Sequence, residues 1–190
     1  MMPYLVDREA LLQSVGSKDV RLLRELLDEH EEHMEELDRN DEAAIELGAP
    51  GVAEALCDLI EGRAPHRHGV PYHYALELLC QRFGTLLDNG AWYPCGWGFV
   101  EELDRKLFEQ GVSLSIRELL DGGAPLTLPP PLDFPAVGHL TPEDSRAARG
   151  ALQAVRREEL EVDQWRALTE LDGWLSQADT HDQLLVLYFY

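Results

Sequence analysis

The chain has 190 residues and a formal charge of −20, with 36 acidic against 16 basic residues. Such a surface repels DNA, RNA and anionic lipid, and it suits solubility or a cationic partner, so nucleic-acid and membrane partners are not expected. No apolar run approaches the roughly 20 residues of a membrane span, and Cys57, Cys80 and Cys95 show no CxxC or other metal-ligand spacing, so free thiols in a reducing cytoplasm are expected.

The opening residues MMPYLVDREALL lack a basic flank, a long apolar region and a small-residue cleavage site, which predicts no signal peptide. PYLV reads as a short strand. Asp7 is placed as the N-cap of a short helix ending at Gly16, and Ser17 as the cap of a longer one. In that second helix Val20, Leu23, Leu27, Met34 and Leu37 recur at helical spacing and predict a buried stripe. Residues 25–46 hold eleven acidic residues and one basic residue, Arg39, a net −10 and half of the total charge. Glu25, Asp28, Glu29, Glu32, Glu35 and Glu36 fall opposite the leucines, although like charges at i,i+4 cost a few tenths of a kcal/mol per pair.

Ala49-Pro50-Gly51 breaks the chain, and residues 52–60 predict a helix stopped by Gly62. RAPHRHGVP is a loop. Residues 72–83 form another predicted helix, closed by Gly84, before the loop AWYPCGWGF. A helix is expected over 99–109 up to Gly111, and Ser115 with Glu118 fits a capping box. Residues 124–135 (APLTLPPPLDFP) are too proline-rich for a helix or a central strand and read as an extended connection. AVGHL, residues 136–140, reads as a strand. Thr141-Pro142-Glu143-Asp144 is a helix start, with the helix running to about Arg157. Asp163 caps the next helix, in which Trp165, Leu168, Leu171, Asp172 and Leu175 lie close to one face. The C-terminal QLLVLYFY reads as a strand paired with AVGHL or PYLV.

The expected fold is therefore α+β and mainly helical. Its N-terminal two-thirds are helical, and a small sheet forms from strands near the N-terminus, at 136–140 and at the C-terminus. Residues 1–190 read as one domain with a helical part (1–123), a proline-rich connection (124–135) and a strand-helix-helix-strand part (136–190).

Three groups of residues invite chemistry. HEEH at 30–33 has its second histidine at i+3, whereas the zinc-protease motif needs i+4. His66, His68 and His73 cluster within eight positions, His66 and His68 as metal-ligand candidates and His73 as a general-base candidate. Cys95 lies just before a helix N-terminus, a mildly activating position for a nucleophilic thiol. The aromatics of its loop have a simpler explanation as packing anchors, but Trp92 and Trp97 are also candidate hot spots for a partner. There is no P-loop, GxGxxG, GxSxG or basic recognition helix.

The order LPPPLDFPAVGHLTPED, two helices with Trp174, then a hydrophobic-aromatic terminal strand resembles bacterial proteins of uncharacterised domain families. YALELLCQRFG and the tryptophan loop fit the same pattern. The resemblance implies an α+β domain and no catalytic residue. The first functional expectation is a non-enzymatic cytoplasmic interaction protein. Its sharp form is an immunity- or antitoxin-like inhibitor presenting Glu29, Glu32 and Glu36 to a basic protein, with Trp92 and Trp97 as anchors. One alternative is a small enzyme or metal-binding protein built on His66, His68, His73 and Cys95; another is a structural or regulatory protein. No cofactor is expected, and the sequence assigns no oligomeric state.

Overall fold

The structure, a computed structural model, describes residues 1–93, 95–131 and 134–190. Pro94, in the tryptophan loop, and Leu132 and Asp133, in the proline-rich connection, lie outside the described residues. In chain order the elements are β1 (Met2–Val6), α1 (Arg8–Ser14), α2 (Val20–Asn40), α3 (Glu42–Glu46), α4 (Val52–Glu61), α5 (Val70–Phe83), β2 (Gly84–Leu86), α6 (Trp97–Glu109), α7 (Ile116–Leu120), β3 (Ala136–Leu140), α8 (Pro142–Leu152), a 3-10 turn (Arg157–Glu159), α9 (Val162–His181) and β4 (Leu184–Phe189). The fold is α+β and mainly helical, with a small antiparallel sheet.

The chain divides into two compact units. One comprises Met1–Val6, Thr85–Pro125 and Ala136–Tyr190; the other comprises Asp7–Gly84 and Leu126–Pro135. This partition cuts across the division at 124 and 136 read along the sequence. Its cause is non-local pairing: the N-terminal strand joins the C-terminal one, and the proline-rich segment sides with the helices that precede it.

In the first unit the strand order is β2-β1-β4-β3. The C-terminal strand β4 is central and pairs antiparallel with both expected partners, Tyr4 opposite Val186 on one side and Gly138 opposite Leu187 on the other. All six residues of β4 are buried, which is why LLVLYF is a continuous apolar run rather than an alternating one. Leu185, Leu187 and Phe189 join the core formed with Val100, Leu103 and Leu107 of α6 and Leu168, Leu171, Trp174 and Leu175 of α9. The edge strand β3 is pressed against α7, where a Cβ on Gly138 would stand 1.7 Å from the Leu119 carbonyl oxygen. That approach requires glycine.

In the second unit α5 is buried nearly all round, from Pro71 through Cys80 except Tyr74, and α1, α2 and α4 pack against it. The ends of α1 and α4 are tied together: Gly16 N–H donates to Leu59 O at 2.8 Å and Lys18 N–H to Ile60 O at 2.9 Å. Gly16 and Gly62 both have positive φ, and a Cβ on Gly62 would lie 3.0 Å from Gly16 Cα. The proline segment lies on the start of α5, where a Cβ on Gly69 would stand 2.2 Å from Pro129 O.

Several element boundaries differ from the sequence reading. Asp19, not Ser17, caps α2, its carboxylate accepting from Arg21 N–H at 2.9 Å and Leu22 N–H at 3.1 Å. Val20, the first residue of α2, is 66% exposed, whereas Leu26 is fully buried, so the buried stripe is shifted from the expected one; α2 is also broken at His30, with φ −115° and ψ 15°. Helix α8 stops at Leu152, where the next amides fold back on i−3 carbonyls, Ala154 N–H on Ala151 O and Val155 N–H on Leu152 O, both at 3.1 Å; beyond that turn Arg156 N–H donates to Gln110 Oε1 at 2.7 Å. Glu161, in a capping box with Gln164, starts α9 in place of Asp163. The short strand β2 has only three residues and gains its order from β1, with Leu87 N–H donating to Pro3 O at 2.9 Å.

Candidate functional site

Helix α2 buries Leu26 and Met34 and exposes its acids. Of the eleven acidic residues over 25–46, three have internal work. Glu25 pairs with Arg82 at 3.0 Å, and Asp41 Oδ2 lies 2.7 Å from His68 Nε2. Asp38 accepts from Val52 N–H at 2.8 Å. Because the N-cap of α4 is Gly51, without a side chain, the Asp38 carboxylate supplies that cap from across the unit. The other eight, Glu29, Glu32 and Glu36 among them, are exposed, and no ion pair or side-chain hydrogen bond to them is found among the described residues.

Charge within α2 opposes its own dipole in part, although the Asp19 carboxylate at the N-cap and Arg39 in the last turn agree with it. Arg21 and Arg24 sit in the first turns, no acid lies in the first turn, and Glu35, Glu36 and Asp38 crowd the last ones. Cations at a helix N-terminus and anions at its C-terminus are each unfavourable by about 0.3–1 kcal/mol. The break at His30 has no proline or glycine to cause it. Just beyond α3, Leu47 is 89% exposed beside Glu46.

The histidine loop is ordered by a network that the sequence did not reveal. Tyr72 Oη donates to Asp58 Oδ2 at 2.7 Å and accepts from His66 N–H at 2.7 Å. Arg63 Nε lies 3.1 Å from Asp58 Oδ1. Burial, with the Asp58 carboxylate adding to it, pushes the Tyr72 phenol up to about 12. The available signal was Asp58 itself, a carboxylate at a core position of the amphipathic run VAEALCDLIE. His66 Nδ1 accepts from His68 N–H at 3.2 Å. His68 Nε2 faces the Asp41 carboxylate, which only accepts, so that nitrogen carries the proton. His73 lies inside α5, 4% exposed, donating from Nε2 to Pro129 O at 3.1 Å. Burial holds its pKa below the usual histidine value, against the opposing effect of that carbonyl. Among the described residues no three His, Cys, Asp or Glu side chains converge to hold a metal ion. His66 and His68 are engaged with loop backbone and with Asp41 instead.

The tryptophan loop belongs to the other unit. Trp92 is fully buried, its indole N–H donating to Ala167 O at 3.0 Å and its ring edge-on to Phe99 at 5.9 Å. It offers no surface to a partner in this fold. Trp97 is half-buried at the start of α6, 4.6 Å from the Phe189 ring, with the Arg117 guanidinium 5.6 Å above it. The loop is also pinned by the Glu170 carboxylate, which accepts from Ala91 N–H at 2.9 Å. Cys95 donates to Ala91 O at 3.4 Å. Burial pushes its thiol pKa up, the N-terminal ammonium opposing and Asp163 and Glu170 reinforcing. A nucleophilic thiol needs the opposite shift. The structure brings His66 and His68 together with Asp41, but Cys95 falls in a different unit from all three loop histidines.

Fold and surface thus define a mainly helical α+β protein whose most distinctive exposed feature is one strongly acidic helix. No helix among the described residues is long and apolar enough to cross a membrane. The chain belongs to a family described as a domain of unknown function, DUF7691, whose profile matches residues 1–190. No curated protein and no solved structure matches the chain.

Proposed function

We propose that this protein is a non-enzymatic, cytoplasmic interaction protein, an immunity- or antitoxin-like inhibitor that presents the acidic face of α2 to a basic protein. The observation that carries this reading is the set of eight exposed carboxylates over α2 and α3 without internal partners, Glu29, Glu32 and Glu36 at its centre. A helix that concentrates like charge, and concentrates it at the wrong end of its own dipole, bears a stability cost that binding a cationic surface would remove. Charge of this density also accelerates encounter with an oppositely charged partner. Leu47 supplies an apolar contact beside the acidic run.

The test is a pulldown of neighbouring gene products at about 0.01 M and about 0.15 M salt, where the Debye length falls from about 30 Å to about 8 Å. A basic protein retained by the wild type and released by the triple variant Glu29→Lys, Glu32→Lys, Glu36→Lys is the expected result. Retention of no basic protein even at the lower salt would rule the reading out.

A further inference from the structure

A second surface lies in the other unit, independent of the acidic helix. A cleft of about 440 Å³ opens between α7 with the turn before it, the end of β3 and the first half of α8. That volume lies within the range of small-molecule sites. Its floor is apolar and made of short side chains. Asp144, Ala147, Ala148 and Ala151 stand at i, i+3, i+4 and i+7, so one stripe of α8 turns three alanines toward it. Leu114, Leu119 and Leu140 complete that floor.

The rim carries negative charge without a counter-charge. Glu118, His139 and Asp144 are the titratable residues of the lining, which holds no lysine or arginine. The Glu118 carboxylate is exposed and makes no ion pair or hydrogen bond among the described residues. Asp144 accepts from the Thr141 hydroxyl at 2.6 Å and from the Thr141 N–H at 3.2 Å, both through Oδ2, so Oδ1 stays free. Those bonds hold its carboxyl below the usual aspartate range and keep it ionised. His139 Nδ1 lies 2.9 Å from Gly123 O, which only accepts, so Nδ1 carries the proton and Nε2 of the neutral ring is an acceptor. The arginines next in sequence to the rim are turned elsewhere, Arg117 to Trp97, Glu101 and Asp121 and Arg146 to Asp179. Among the described residues no three of these groups converge as metal ligands would. The lining therefore favours a cation larger than a bare ion, one with an apolar body.

We infer that this cleft binds a small organic monocation, a primary ammonium group on a short alkyl body. The ammonium group pairs with Glu118, the rim carboxylate that lacks a partner, in the field of Asp144. The alkyl body replaces water over Leu114, Leu119 and the alanines. His139 Nε2 adds an acceptor to the rim rather than a positive charge that would repel the ligand.

Amide chemical-shift mapping by NMR at low salt, on the full chain, tests this with pentylamine, methylamine and pentanoate. The net −20 draws cations toward every part of the surface, so the position of the shifts counts as well as the affinity. Pentylamine is expected to give saturable shifts at Gly122, Ala147 and Ala151, with methylamine at least about tenfold weaker and pentanoate without effect. Glu118→Gln, an exposed and isosteric change, is expected to weaken pentylamine about fivefold. Ala147→Leu, at an exposed helical position, fills the floor and is expected to weaken it at least about tenfold. Asp144 is left intact because it belongs to the capping box of α8. The spectrum of each free variant verifies its fold. Shifts confined to α2, methylamine or pentanoate binding as tightly as pentylamine, or wild-type affinity in either variant would each overturn the inference.

Discussion

Replacing Trp92 with alanine tests whether the tryptophan loop is packed core or a surface reserved for a ligand. Trp92 is fully buried, donates its indole N–H to Ala167 O at 3.0 Å, and touches Phe99 and Trp174 with ring centres 5.9 and 6.0 Å away. Truncating a fully buried tryptophan costs about 3–5 kcal/mol through lost transfer energy and the cavity left behind. For a chain of this length each kcal/mol lowers Tm by about 2–4 °C, so Trp92→Ala should melt about 6–20 °C below the wild type. Trp92→Phe keeps most of the apolar contact but loses the hydrogen bond, and its loss should be about 1–3 kcal/mol. Thermal and urea unfolding followed by far-ultraviolet circular dichroism measure both, with an unchanged m-value showing that stability alone has changed. A Trp92→Ala protein melting within about 2 °C of wild type would refute the packed-connector reasoning.

Four further outcomes follow from the geometry. Tyr72→Phe leaves both the Asp58 carboxylate and the His66 N–H without their shared partner, and should cost about 2–4 kcal/mol in urea unfolding; a change under about 0.5 kcal/mol would contradict the network. Gly138→Ala drives a Cβ to 1.7 Å from Leu119 O and should cost about 3 kcal/mol or more, or prevent folding, as read by soluble yield and Tm. Glu32→Lys turns the Glu32–Glu36 repulsion, beyond the break at His30, into an attraction and should stabilise the free protein by about 0.5 kcal/mol at low salt, less at high salt, while weakening partner binding; a lower Tm would contradict the charge argument. His73 has its folded pKa lowered from 6.5 by burial. Between the folded pKa and about 6.5 the unfolded state therefore binds more protons, and stability falls as pH drops through that window. Urea midpoints at about pH 7.5 and about pH 5.5 should show this loss in the wild type and a smaller one in His73→Phe; equal losses would exclude His73 as the cause.

Much of the fold was legible because its signals are local. Asp7 and Thr141 cap the helices they were expected to cap, with Ala10 N–H on Asp7 at 2.9 Å and Asp144 N–H on Thr141 at 3.2 Å. The apolar run of β4 pointed to a strand paired on its flanks. What the sequence concealed depends on residues far apart in the chain. Asp38 looks like one more surface acid but caps α4 through Val52. Gln110 accepts from Arg156 N–H, 46 positions away, just past the end of α8. Asp58 and Tyr72 become a unit only when α4 lies along α5. The acidic face was legible as a helical stripe, but the subset of acids without internal partners was not, because Arg82 and His68 reach Glu25 and Asp41 through the fold. For Trp92 and Cys95, the same nine-residue loop is compatible with a pocket wall or with packing, and only burial separates the two.

The most direct test of the central claim is the association rate of the retained basic protein with wild type and with the Glu29→Lys, Glu32→Lys, Glu36→Lys variant, measured by surface plasmon resonance across a salt series. The acidic-face account predicts that the wild-type on-rate falls steeply with salt. It predicts that the variant's on-rate at low salt is at least about tenfold slower and nearly independent of salt. Equal on-rates and equal salt slopes for the two proteins would contradict it.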